Sequence, residues 1–166
     1  MTSSRIEEMI TAAVPAAQAR RALTDGTRFG QWVAPHVSVR ALALSPSLAP
    51  GDRFQIDAPG TPTFDYLVEA VSDREVVFSF TGAWRGRERW SFIADGADTI
   101  VRRTYEVDDA NPIAELAWRT LGRPLVTAHF KWELARFRDL AMRGPSVRAE
   151  IEASPTAPPS FPIDDG

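Results

Sequence analysis

Arg103 and Tyr105 stand two residues apart in Thr99–Val107, where apolar and polar residues alternate as they do in a half-buried strand. Side chains two apart on a strand share a face, so a permanently charged guanidinium and a phenol sit among Val101 and Val107. A guanidinium on an apolar face is costly unless it is paired or wet. Two chemistries satisfy it. One is a structural ion pair with Glu88 on the preceding strand, with Trp90 packed alongside. The other is a clamp for a ligand carboxylate or enolate. Tyr105 either donates to a ligand carbonyl or packs with its hydroxyl at the edge of the core. His129 falls in a helical stretch, near Trp132 by spacing. It is either a general base reaching the interior or a helix histidine satisfied locally. Arg103, Tyr105 and His129 are the candidate catalytic residues.

The strands before and after Asp95-Gly96-Ala97-Asp98 fix which residues accompany them. A two- or four-residue loop pairs even positions of Glu88–Ala94 with odd positions of Thr99–Val107. Trp90 and Phe92 then share the inner face with Val101, Arg103, Tyr105 and Val107, while Arg87, Arg89, Ser91, Arg102, Thr104 and Glu106 face outward. A three-residue loop would invert the assignment. Phe78 and Phe80 alternate with Ser79 and Thr81, so they mark another inner face. Either Tyr66 and Val68, or Leu67, Glu69 and Val71, share it. Trp32 closes one end of the core or touches a ligand. The candidate ligand-binding set is Trp32, Phe78, Phe80, Trp90, Phe92, Val101, Arg103, Tyr105 and Trp132. Trp84 and Trp118 are rim or lid candidates. Arg85, Arg87 and Arg89 read as a solvated strand face.

Composition narrows the chemistry further. The chain has 166 residues, a net charge of -3 and no cysteine. Disulfides and thiol nucleophiles are excluded. His36 and His129 are the only histidines, and no cluster has metal-ligand spacing, so no metal is expected. No glycine-rich phosphate loop and no Ser-His-Asp pattern is present, and no cofactor is expected. The acidic balance argues against a nucleic-acid partner. No apolar run approaches the roughly 18 residues that span a bilayer. Glu7 and Glu8 interrupt any signal-peptide core, and a cytoplasmic location is the expectation. Lys131 is the only lysine beside many arginines and alanines, a bias typical of GC-rich bacterial genomes. The partner expected is a small hydrophobic molecule, and the oligomeric state stays open between monomer and homodimer.

The elements that must position these residues follow from periodicity and punctuation. Arg5–Val14 reads as a strand. Ala16–Leu23 reads as a helix behind Pro15, and Thr27–Val33 as a second short helix, with Phe29, Trp32 and Val33 at helical spacing. Strands follow at Val37–Leu44, Arg53–Asp57, Phe64–Val71, Glu75–Thr81, Glu88–Ala94 and Thr99–Val107, joined by short turns that favour antiparallel pairing. Asn111–Met142 reads as a long helix with Asn111 as N-cap. One apolar stripe runs through Ile113, Ala117, Leu121, Leu125, Ala128, Trp132 and Ala135, and another through Phe130, Leu134, Phe137 and Ala141. Gly122 and Pro124 predict a kink. The fold class is α+β: a curved antiparallel sheet of about seven strands around a long C-terminal helix, with two short helices after the first strand. Residues 1–143 form this domain. The Pro-rich segment 144–166 reads as a flexible tail.

Several stretches resemble the START-like (SRPBCC) superfamily. They are Val14-Pro-Ala-Ala-Gln-Ala-Arg-Arg-Ala-Leu-Thr-Asp-Gly-Thr-Arg-Phe-Gly-Gln-Trp-Val, then Pro50-Gly51-Asp52-Arg53-Phe54, Trp90-Ser91-Phe92, Asp95-Gly96-Ala97-Asp98-Thr99-Ile100-Val101 and Glu133-Leu134-Ala135-Arg136-Phe137. The resemblance covers about residues 5–142 and is nearest to the polyketide cyclase/dehydrase-like branch. It implies a helix-grip fold with an interior cavity for a small, largely apolar ligand, polyketide-, lipid- or aromatic-like. A cavity of a few hundred Å3 is the usual scale of such sites. Three functions remain open: ligand binding, polyketide cyclase or dehydratase chemistry in the same cavity, and a regulatory or chaperone-cofactor-like interaction module.

Overall fold

The computed structural model describes residues 4–108 and 112–144, with the side chain of Ala114 left aside. Asn111 and the tail from Pro145 onward lie outside the described residues. Seven strands form one antiparallel sheet: β1 (Ser4–Ala12), β2 (Ser38–Ala43), β3 (Arg53–Asp57), β4 (Phe64–Val71), β5 (Glu75–Thr81), β6 (Arg85–Asp95) and β7 (Asp98–Val107). Their spatial order is β1-β7-β6-β5-β4-β3-β2. Consecutive strands from β2 to β7 are neighbours, and β1 closes the far edge against β7.

The inner face follows the two-residue period. Trp90 pairs with Arg103 and Phe92 with Val101, because β6 and β7 join through a two-residue turn at Gly96-Ala97. Glu88 lies opposite Tyr105. The open choice on β4 falls to Tyr66 and Val68, which pair with Phe80 and Phe78. Leu67 is exposed instead. A register shift between Val68 and Ala70 changes the pairing parity partway along the hairpin. Counting outward from the Ser72–Arg74 turn therefore fails to assign the face.

Helix α1 (Ala16–Thr24) follows β1 as expected. The stretch Thr27–Val33 is a correction: it forms successive turns rather than a second helix. Its bonds run three residues back, Arg28 N to Asp25 O at 3.1 Å, Gln31 N to Arg28 O at 3.1 Å and Val33 N to Gly30 O at 3.2 Å. Gly30 has φ +88°, which no α-helix continues through. Trp32 still reaches the core.

The long helix is divided as Gly122 and Pro124 predict. Helix α2 (Pro112–Ala117) leads into a π-helical turn (Trp118–Gly122) and then α3 (Arg123–Met142). Trp118 is fully buried there, and a Cβ at Gly122 would lie 2.6 Å from its ring. The glycine is what lets the indole fold back under the turn. Only one of the two expected apolar stripes is buried. Phe130, Leu134, Phe137 and Ala141 are in the core, joined by Glu133 and Leu140. Ile113, Leu121, Leu125 and Trp132 are exposed. One helix face fits the sheet, and aromatic side chains fill it, so Leu121 and Trp132 point outward while Leu125 sits at the edge of the gap between sheet and helix. Helix α3 runs beside β1 and α1.

Candidate functional site

Strand alternation places Glu88 and Trp90 on the same inner face of β6, with Arg103 and Tyr105 facing them from β7. The Arg103 Nε donates to Glu88 Oε1 at 2.8 Å. Its second arm, Nη1, donates to Glu133 Oε2 on α3 at 2.5 Å. All three side chains are buried. Glu88 also accepts from Trp90 Nε1 at 2.6 Å and from the Tyr66 hydroxyl at 3.2 Å. Glu133 accepts from the Ala34 backbone N–H at 3.3 Å, which ties the 27–37 turns to α3. The guanidinium carbon stands 3.6 Å from the Phe130 ring centroid, 4.7 Å from Trp90 and 5.3 Å from Trp32. Charge pairing, hydrogen bonds and aromatic faces thus offset the desolvation of one guanidinium.

Sequence reasoning identified Glu88 as a partner of Arg103 but missed Glu133. Its signal was present: Glu133 shares a helix face with Phe130, Leu134 and Phe137, so a carboxylate sits in a buried stripe. Burial works to lower the Arg103 pKa, and the Glu88 and Glu133 carboxylates outweigh it, holding the guanidinium above its ordinary value. Tyr105 accepts from Trp84 Nε1 at 3.1 Å and stacks on Phe80, with ring centroids 4.3 Å apart. Burial first, and the nearby Glu88 charge with it, keeps the Tyr105 phenol protonated well above its usual range. Burial does the same for Tyr66, with Tyr105 and Glu88 adding to it.

Beside this network lies a cleft of about 80 Å3 between the sheet and α3. Its walls are Val37, Ile56, Ala58, Phe64, Trp84, Leu125, Val126 and Phe130, and its polar atoms come from Thr61, Tyr66, Arg103, Tyr105, His129 and Glu133. The volume corrects the expectation of a few hundred Å3. Aromatic side chains occupy most of the interior. Trp90 and Phe92 pack on Phe137, with ring centroids 5.1 and 6.4 Å away, and Phe78 packs against Phe54. Trp32, Phe78, Phe80, Trp90, Phe92 and Val101 are therefore inward-facing core residues that do not line the cleft. Trp132 is 40% exposed, with Arg136 over its ring at 4.7 Å, and lies outside the cleft. The rim expectation fits Trp84, which lines the cleft, whereas Trp118 packs beneath it at 5.1 Å.

His129 reaches the mouth of the cleft, and its Nε2 lies 3.0 Å from Nε2 of His36 on the 34–37 turn. One imidazole donates and the other accepts, so at least one of the two is neutral in this contact. Burial lowers the His129 pKa, Glu133 acts the other way, and His36 and Arg103 lower it further. His36 was not among the sequence candidates; it precedes β2 with no periodic signal of its own. A larger groove of about 210 Å3 runs between α1 and the end of α3, but its polar lining is surface residues such as Arg21, Asp25 and Arg28. No group of three or more potential metal ligands occurs among the described residues. No described helix is long and apolar enough to cross a membrane.

A seven-stranded sheet gripping a C-terminal helix, with a small cleft between them, defines the helix-grip class of fold. The chain belongs to the polyketide cyclase/dehydrase and lipid transport family, whose pattern matches residues 3–141. Solved structures share the fold. TTHA0849 from Thermus thermophilus superposes with a TM-score of 0.69 at 17% identity, covering 84% of this chain and 98% of that one. The Zhui aromatase/cyclase from Streptomyces sp. R1128 gives 0.66 at 17% identity, covering 86% and 95%. Norcoclaurine synthase from Thalictrum flavum, in complex with dopamine and hydroxybenzaldehyde, gives 0.68 at 10% identity, covering 87% and 90%. No curated protein sequence matches the chain.

Proposed function

We propose that this protein binds a small, largely apolar organic molecule in the cleft between the sheet and α3. The observation that carries the proposal is the cleft's composition: apolar walls from Val37, Ile56, Phe64 and Leu125 meet polar atoms of Tyr66, Tyr105 and Glu133. Apolar area supplies affinity and a few convergent polar groups supply orientation. The polyketide-, lipid- or aromatic-like class fits those walls. The cleft is small, so a larger ligand requires outward movement of Leu125 and Val126 at the start of α3. Native mass spectrometry of protein purified from its own host tests the proposal. A co-purifying small molecule is expected, and it should be lost on Val126→Trp, which fills the cleft. A molecule retained by that variant is held elsewhere and refutes the assignment.

A second reading is cyclase or dehydratase-like chemistry in the same cleft, and the His36–His129 contact favours it. His129 at the mouth is placed to move a proton, and the Tyr105 hydroxyl to polarise a carbonyl. Arg103 serves there as a positioning residue, since its Nε and Nη1 are held by the two carboxylates. Turnover of a bound polyketide-like substrate that survives with unchanged rate in His129→Ala removes His129 from this role.

A further inference from the structure

Arg103 is the natural candidate to hold an acidic ligand, but its environment argues for the opposite selectivity. Its Nε and Nη1 are already committed to Glu88 and Glu133. Glu88 accepts from Arg103, Trp90 and Tyr66, and Glu133 from Arg103 and Ala34. Every partner of the two carboxylates is a donor, the arrangement that their charged form requires. Two negative charges and one positive charge therefore lie beneath the cleft, a net charge of minus one. The other titratable groups facing it do not cancel this. Tyr66 and Tyr105 keep their protons, and His129, at the mouth, is shifted toward its neutral form. Glu133, rather than Glu88, borders the open space. A ligand carboxylate would lose its hydration and meet Glu133, and the guanidinium beside it already serves two carboxylates.

We propose that the cleft selects uncharged ligands, aromatic molecules bearing a hydroxyl or ketone, and rejects carboxylates. A ligand hydroxyl donates to Glu133, or a ligand carbonyl accepts from the Tyr105 hydroxyl, whose oxygen accepts from Trp84 and whose other neighbour is the Tyr66 hydroxyl. This rests on the binding function proposed above and specifies its ligand class.

Isothermal titration calorimetry at neutral pH with 2-naphthol and 2-naphthoate tests it. The pair shares a ring system and differs in charge. The naphthol is expected to bind at least about tenfold more tightly, about 1.4 kcal/mol. In Glu133→Gln, one negative charge is removed and the preference should contract at least about threefold, an expectation scaled on the same arithmetic. Naphthoate binding as tightly as naphthol overturns the selectivity while leaving the binding function standing. An unchanged ratio in a folded Glu133→Gln protein overturns the role of Glu133. Should that variant not fold, the wild-type ratio decides alone. If neither probe binds, this ligand class is refuted, while the binding function is decided separately by the co-purification experiment.

Discussion

Replacing Arg103 with methionine preserves much of the side chain's length and removes its charge. Two buried carboxylates then lose their cation. Glu88 keeps the Trp90 and Tyr66 donors, and Glu133 keeps only the Ala34 N–H. Breaking a buried pair by removing one partner costs about 3–5 kcal/mol. That is a large part of a typical domain stability of about 5–15 kcal/mol. With a urea m-value of about 2 kcal/mol/M, the midpoint falls by about 2 M. The deficit depends on pH with a definite sign. Uncompensated burial raises the carboxylate pKa values in the folded variant above the unfolded value of about 4.3. Folded Arg103→Met then binds more protons than its unfolded chain, so acidification from pH 7 toward about 5 stabilises it relative to wild type. Glu133→Gln retains the Arg103–Glu88 pair and costs about 1.5–3 kcal/mol, the range for a hydrogen bond to a charged group. The double variant costs less than the sum of the two, because the second change removes an orphan created by the first. Urea titrations of the four proteins at both pH values give the answer. An Arg103→Met deficit below about 1 kcal/mol at neutral pH, or one that does not shrink on acidification, refutes the charge-network reasoning.

The two tryptophans that face Arg103 separate packing from hydrogen bonding. Trp90→Phe removes a donor to a carboxylate, whereas the Trp32 Nε1 has no partner among the described residues. Trp90→Phe is therefore expected to cost at least about 1.5 kcal/mol more than Trp32→Phe in chemical denaturation, and equal costs would contradict the Trp90–Glu88 hydrogen bond. Asp52 accepts from the Ser45 and Ala49 backbone N–H groups and the Ser45 hydroxyl, and these bonds outweigh burial to hold its carboxyl below the ordinary value. Its contribution is present above the unfolded pKa and is lost as pH falls through the folded one. Asp52→Ala should cost about 2–3 kcal/mol at neutral pH and much less in strong acid, and a pH-independent loss would exclude the charge. His129, with its folded pKa lowered chiefly by burial, favours the folded state above its unfolded pKa of about 6.5 and loses that contribution as pH falls through the folded value. His129→Gln should flatten that part of the stability–pH curve, and NMR titration of the imidazole should show a midpoint below the ordinary one.

The sequence alone determined which strand residues share a face wherever a hairpin has a two-residue turn and an unbroken register. That is why parity grouped Trp90, Phe92, Val101, Arg103 and Tyr105 on one face, the apolar character of that face turned them inward, and Glu88 emerged as the partner of Arg103. Gly122 and Pro124 likewise announced the break in the last helix, because local backbone chemistry causes it. Where a residue's neighbours come from distant segments, local pattern was insufficient. The bulge after Val68 reset the β4–β5 parity, and Gly30 turned a helix-like spacing into turns. Of two plausible stripes on the last helix, packing buried the one carrying Phe130, Glu133 and Phe137 and left Trp132 in solvent. Tertiary structure alone brought Glu133 onto Arg103, His36 onto His129, and filled the expected hollow with aromatic rings down to about 80 Å3. Periodicity assigns a side chain to a face, but volume filling and charge compensation depend on every segment that meets there.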